Sequence, residues 1–512
     1  MVDGIQQLDE ISISCYLNRG PNFKYLKNDE LLNAKNYLGN PISIEIHSSI
    51  NGFYRYGSIT FHDTIGFRET LPLTGNDILT VFYKNKHNVN DSLTGRLIHF
   101  NIFDMEEIQL RPASSKEERH TLKAIKMHII EAPFYLFLNT SKIKKIYGTS
   151  SGTGNDKLLS ISDIVEEIFR GIFNSNSELM EYFNFYFQTT KKISGQFCNP
   201  NWNHQKFIKY LLDYASDKNN RGNFKLFTTS DIQSGKINIV LRNPTHMYSL
   251  PFKGKIYEYF LSDESTLNNT DISNPLNQIA NQKLNTIYYY KFLNYDLSAI
   301  TSGFGGGTIY NYNYLNGNYS EICNTYTNIN TKLPTTSNYL IWKDEISNWN
   351  NQVYYDGSMS EFLSTDYLKN KILDNHHQLR CIILTLINEN IEIGDVILIT
   401  FMSGMVSFTK GDSHLIDEQM SGYWIVEEIN DIVHQGKGYR KYILMKDSYF
   451  NVYTPNDLDA SKILPVNKSI ASHDIIYDEN GVKRFKTTYS DNYKIYSEDD
   501  KFSDNSNGGL VL

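Results

Sequence analysis

Five groupings in this 512-residue sequence have the types and spacing from which chemistry could be built. The first is Gly-Phe-Gly-Gly-Gly-Thr, with Gly303, Gly305, Gly306 and Gly307, which has the outline of a phosphate loop. A dinucleotide fingerprint needs a strand before the glycines, a helix after them and an acid further on. Here TIYNYNYLNGNY follows, a strand pattern, so a hairpin or a bend in a sheet is expected. His376 and His377, with Asp374 nearby, are metal-ligand types. Neighbouring histidines on an extended chain point opposite ways, and no third ligand is spaced to close a site. His62-Asp63 could be half of a nucleophile relay. No GxSxG-type partner accompanies it, and Asp63 reads as a turn residue.

The acid pairs Glu166-Glu167 and Glu427-Glu428 are of the kind glycosidases use. Spacing along a chain does not set two carboxyl groups at catalytic separation, and both pairs fall where solvated faces are expected. Trp202, Trp342, Trp349 and Trp424 could stack on sugars, and read better as core and interface residues. The sequence thus predicts no catalytic residue, no cofactor site, no metal site and no enzyme.

The elements that would hold any site are written in the periodicity. In the first 130 residues, Ile42, Ile44 and Ile46 alternate with Ser43, Glu45 and His47. Ile59 and Phe61 repeat the pattern, and Ile78 to Tyr83 is a more continuous apolar run. Ile98, Phe100 and Ile102 alternate with His99 and Asn101, then Ile125, Met127 and Ile129 with Lys126 and His128. Period two means half-buried strands, and the Asn51-Gly52 break between them means an antiparallel sheet or barrel. The period then changes: Ile161, Ile164, Val165, Ile168, Phe169 and Ile172 are helically spaced behind a Ser160/Asp163 capping box. A second helix carries Phe207, Ile208, Leu211, Leu212 and Ala215 on one face, with Asn203 as its cap.

Strands return at Phe224 to Thr228 and Lys236 to Leu241, around Ser234-Gly235. A polar stretch from Ser262 leads to a helix near Pro275 to Leu284, then strands follow from Thr286 to Phe292 and from Gly307 to Tyr314. Leu379 to Leu386 opens a further all-β stretch. IEIGDVILITF predicts two strands broken at Gly394-Asp395, and a hairpin turns across Gln435-Gly436-Lys437-Gly438. Beyond residue 451 periodicity fades, as in an extended tail.

Composition bounds the class. A net charge of −8 argues against stably bound nucleic acid, which needs clustered Lys and Arg. The cysteines Cys15, Cys198, Cys323 and Cys381 form no CxxC pair and read as reduced thiols. The first residues have neither a basic n-region nor an apolar h-region, and no apolar run reaches the length of a membrane span. A soluble chain folded in cytosol is expected.

Three stretches together resemble the baseplate hub proteins of tailed bacteriophages, kin to the hubs of contractile injection systems. The first is GSITFHD with ETLPLTGNDILTV (Gly57 to Asp63, Glu69 to Val81). The second is LSISDIVEEIF, then CNPNWNHQKFIKYLLDYAS and GNFKLFTTSDIQSGKINIV. The third is IEIGDVILITF with MSGYWIVEEINDIVHQGKGYRKYILMKDSY. They stand in the family's order and cover most of residues 40 to 450. The polar insert at 262–278 and the tail at 451–512 are longer than a minimal hub needs.

The resemblance implies an α+β, mostly antiparallel β fold with two tube-like β-barrel domains, inserted helices, a small C-terminal β-barrel and an extended tail. It divides the chain into a first tube-like domain (1–135), a helical connecting region (136–220), a second tube-like domain (221–330), a linker (331–375), the small barrel (376–450) and the tail (451–512). It implies a structural virion protein of a phage tail, assembled in host cytoplasm. The expected form is a homotrimer whose six similar domains make a pseudo-sixfold ring. The ring's partners would be the tail tube protein, a central spike or tail-tip protein and other baseplate proteins, with DNA passing through without specific binding. The readings set against it are a tail-tip receptor- or glycan-binding module and a tail-associated cell-wall hydrolase.

Overall fold

The computed structural model describes residues 9–18, 37–39, 41–63, 77–85, 95–111, 122–132, 142–147, 159–173, 181–192, 197–218, 222–231, 236–248, 257–258, 287–293, 306–313, 318–325, 352–356, 379–387, 391–401, 420, 422–446, 470–477 and 483–489. The expected helix at 275–284, the insert at 262–278, His376, His377 and Asp374, Trp342 and Trp349 lie outside them.

The chain begins with strands β1 (Asp9–Asn18), β2 (Tyr37–Gly39), β3 (Ser43–Ser49), β4 (Tyr56–Asp63), β5 (Ile78–Asn85), β6 (Arg96–Arg111), β7 (Leu122–Glu131) and β8 (Lys142–Tyr147). Helix α1 (Ile161–Phe173), β9 (Phe183–Phe187), β10 (Phe197–Asn203), α2 (His204–Leu212), β11 (Lys225–Ser230), β12 (Ile237–Arg242) and the short α3 (Pro244–Tyr248) follow. Then come β13 (Tyr257–Glu258), β14 (Tyr289–Leu293), β15 (Gly306–Asn313), β16 (Asn318–Thr325), β17 (Gln352–Asp356), β18 (Leu379–Thr385) and β19 (Val396–Thr400). The last strands are β20 (Gly422–His434), β21 (Lys437–Lys446), β22 (Ile470–Tyr477) and β23 (Lys483–Tyr489). The described protein is mostly antiparallel β with few helices.

Local chemistry explains the helices. Ser160 Oγ accepts from the Asp163 amide at 3.2 Å while the Asp163 carboxylate accepts from the Ser160 amide at 3.0 Å, a reciprocal capping box. Asn203 Oδ1 caps α2 by accepting from the Lys206 amide at 2.9 Å. The apolar faces of α1 and α2 pack with β8 to β12 and with Phe53 into one core.

The principal sheet has 13 strands. It contains β1 to β7 and also β18 to β21, so strands from the 1–135 and 376–450 stretches hydrogen-bond side by side. β20 pairs along β3 from Glu428↔Ser49 to His434↔Ser43, and β21 touches β1 through Asp9↔Gly438 and Glu10↔Lys437. Because β20 and β21 also pair with each other, the order β20-β3-β4-β7-β6-β5-β1-β21 returns on itself as a circuit of pairings. The inward side chains, among them Ile13, Cys15, Ile44, Ile59, Val81, Phe100, Met127, Ile129 and Val433, share one core. A third core lies between β18 to β21 and Phe227, Val240 and Met247.

Several expectations differ, and within the expected extended tail β22 and β23 pair as antiparallel strands. Val396–Thr400 is the one strand of IEIGDVILITF, while 391–395 is a turn in which Gly394 takes φ +80°, so those apolar residues pack without pairing as a strand. His62 and Asp63 lie in β4 opposite Ala124 and Lys123 and do not form a turn. At β6 the alternation does not mark a wet face, because His99 and Asn101 are buried as fully as Ile98 and Phe100.

Candidate functional site

The densest chemistry is a buried cluster of charges where three parts of the chain meet. Arg55, just before β4, Arg96 at the start of β6, Glu131 at the end of β7, Glu392, Asp431 on β20 and Arg440 on β21 are all buried. Arg440 donates to Asp431 from both Nε (2.5 Å) and Nη2 (2.7 Å), a bidentate pair. The same carboxylate accepts from the Tyr83 hydroxyl at 2.6 Å and from Arg96 Nη1 at 3.3 Å. Arg96 also pairs with Glu392.

Glu392 then reaches Arg55 Nη2 at 3.4 Å. The Arg55 guanidinium donates to Ser230 Oγ at 2.5 Å and lies 3.6 Å from Glu131. Glu131 accepts from Thr228 Oγ1 at 2.5 Å. Strands β4 to β7, β11 and β20 to β21 are thereby joined by one polar network.

Electrostatics keep the Asp431–Arg440 pair ionised. Burial pushes the Asp431 carboxyl up, but the Arg440 and Arg96 guanidinium groups and the Tyr83 hydroxyl outweigh it and hold the group below its ordinary value. Burial disfavours the charge on Arg440, and Asp431 more than restores it. The Tyr83 hydroxyl is pushed well up by burial and stays protonated as a donor. With every carboxylate answered by a guanidinium, the arrangement has the chemistry of a joint: it fixes register and orientation.

No residue was assigned to a site from the sequence, and none of these six drew attention there. A signal exists all the same. Asp431 falls in phase with the buried Ile429 and Val433, Arg440 with Tyr442 and Leu444, and Glu131 with Met127 and Ile129. A charge on the dry phase of an alternating strand has to find a partner in the core.

The groupings singled out from the sequence are scattered. Glu166 and Glu167 lie on the outer side of α1, paired with Arg170 and Lys145 at 2.7 and 2.6 Å. Glu427, expected on a solvated face, is buried. It accepts from Arg380 at 2.8 Å and Asn51 at 3.0 Å, and burial raises its carboxyl despite Arg380. Consecutive residues of a strand face opposite ways, so Glu427 is covered while Glu428 is only half-buried.

Trp424 is fully buried and donates to the Met420 carbonyl at 3.0 Å, while Trp202 packs beneath Lys206. Gly306 and Gly307 open β15. Cys15 and Cys381 are buried free thiols and Cys198 is an exposed one. Among the described residues, Asp104, Glu106 and His128 are grouped closely enough to face one ion, on the exposed side of β6 and β7, where His128 and Glu106 bond each other at 3.0 Å. No described helix is long and apolar enough to cross a membrane.

No protein-family model matches the chain, and no curated protein matches it. Among solved structures it is similar to a tail protein from Neisseria meningitidis, at 8% identity and a TM-score of 0.46, over 86% of this chain and 98% of that one. It is similar to a prophage tail protein from Shewanella oneidensis at 6% identity and TM-score 0.45, over 86% of this chain and 100% of that one. A third is an Escherichia coli component of the type VI secretion system, described as structurally similar to bacteriophage T4 tail proteins. Its identity is 9% and its TM-score 0.41, over 87% of this chain and 79% of that one.

Proposed function

We propose that this chain is a structural protein of a phage tail, a hub subunit that joins the tail tube to a central spike or baseplate. The observation that carries the reading is the convergence of the three quoted stretches on one buried joint. Tyr83 and Arg96 follow the first stretch, Thr228 and Ser230 lie in the second, and Glu392, Asp431 and Arg440 lie in the third. A ring component has to keep its lobes at a fixed angle while force passes through them. A dense ionic joint in a dry interior does that, because a buried charge tolerates little displacement from its partner.

In this reading the circuit β20-β3-β4-β7-β6-β5-β1-β21 is one tube-like barrel, and the unit around α1, α2 and β9 to β12 belongs to the second. Three subunits, each with two such units, make a pseudo-sixfold ring, which meets a sixfold tube on one side and a threefold spike on the other. DNA slides through without specific contacts, in keeping with the net charge of −8. The chemistry is geometric, and no reaction is assigned to it.

Negative-stain imaging of the purified full chain, alone and mixed with the tail-tube protein of the same genome, tests this. Threefold rings with an open lumen, seated on tube ends, are expected. Monomers that neither form rings nor cap tubes overturn the proposal.

A further inference from the structure

We propose that the hairpin β20–β21 is the closing piece of the N-terminal strands. By this inference β1 and β3 reach their native pairing in the same step as the hairpin, after the chain has been made through Lys446. It concerns how the fold is completed and stands whether or not the chain is a hub.

The turn of the hairpin lies across both open edges. Ile11 donates its amide to the Gly436 carbonyl at 2.7 Å, and Gln435 donates its own to the Ile42 carbonyl at 2.7 Å. The turn achieves this with positive φ at Gln435 (51°) and Gly436 (76°). Two residues past it, a Cβ on Gly438 would run into Ile11 Cδ1 and sit 3.0 Å from Ile387 Cδ1 and Val433 Cγ2. Bare backbone at 438 leaves room for the Ile11, Ile387 and Val433 methyls where β1 meets the hairpin. Val433 and Ile387 also complete the core made by Ile13, Ile44, Ile46 and Val81.

Energetics make the closure a single event. Until Asp431 arrives, Tyr83 lacks its acceptor and Arg96 has lost one of its two acids, in an interior where an uncompensated charge is expensive. β3 would also present an unpaired edge, its core residues Ile44 and Ile46 half covered. The neighbours β3–β4, β5–β6 and β6–β7 are close in sequence and β1–β5 and β4–β7 are of intermediate separation, whereas Asn430 meets Glu45 across 385 positions. Loop-closure entropy grows slowly with length, so this pairing is late and not weak.

Pulse-labelled hydrogen exchange during refolding of the full chain, read by mass spectrometry, tests the order. Amides of 9–18, 43–49 and 422–446 are expected to gain protection with one shared rate constant. In Gly438→Ala all three are expected to slow by the same factor, threefold or more. Protection of 43–49 ahead of 422–446, or slowing confined to the hairpin, overturns the proposal.

Discussion

At the residue scale, the buried joint separates two meanings of stabilisation. Removing one charge from a buried pair leaves its partner uncompensated, whereas replacing both with apolar groups removes the problem with the pair. Asp431→Asn, which keeps shape and withdraws the anion from Arg440 and Arg96, is expected to cost about 3–5 kcal/mol. The joint change Asp431→Leu with Arg440→Met is expected to cost clearly less than the sum of its parts. Urea unfolding of Asp431→Leu, Arg440→Met and the double variant checks this, and additive losses would mean the pair is not coupled.

His99 supplies a pH dependence of known sign. Burial beside Thr80 pushes its imidazole down to about 3, while in the unfolded chain it titrates near an ordinary value of about 6.5. Between those values the unfolded chain binds a proton that the folded chain does not, so stability falls as pH falls, by up to about 1.4 kcal/mol per pH unit. Asp431, held below its ordinary value, adds a loss of the same sign at more acid pH. Glu427, raised by burial, acts oppositely. Unfolding free energies between pH 4 and 6 should show a slope about one proton shallower in His99→Gln than in the parent chain.

At the element scale, strands and helices follow their local signals, and departures occur where other elements cover them. The capping box at Ser160 and the Asn203 cap stand where side-chain chemistry demands, because a cap is satisfied within four residues of chain. The alternation at β6 could not reveal that His99 and Asn101 are covered, since a polar residue reads alike on a wet face and in a satisfied interior. Gly438 is invisible in the same way, being one turn glycine among several until β1 is laid against it. Gly438→Ala is expected to destabilise the chain by about 1–3 kcal/mol through overpacking against Ile11, with the far-UV spectrum unchanged. A thermal scan that leaves the midpoint where it was would mean that Ile11 gives way without cost.

At the scale of the whole molecule, strands β1 to β7 and β18 to β21 build a common sheet. The unit around α1 and α2 is tied to it through Arg55, Thr228 and Ser230. In the proposed hub, buried contacts of this kind would hold the two units at one angle. The imaging experiment therefore carries a structural expectation: each subunit should present two lobes at one constant angle in every particle class. A wide spread of angles would mean that the joint does not hold the lobes together.

Periodicity, caps and turn residues determined by themselves the mostly antiparallel β class, both longer helices with their starts and most strand positions. Each is written in interactions among residues a few positions apart. Tertiary structure alone decided that β20 and β21 complete the N-terminal strands, that Glu427 is buried, and that Arg55, Arg96, Glu131, Glu392, Asp431 and Arg440 form one network. Those facts depend on which partner a charge or an edge meets across as many as 385 positions, and no local pattern encodes the partner.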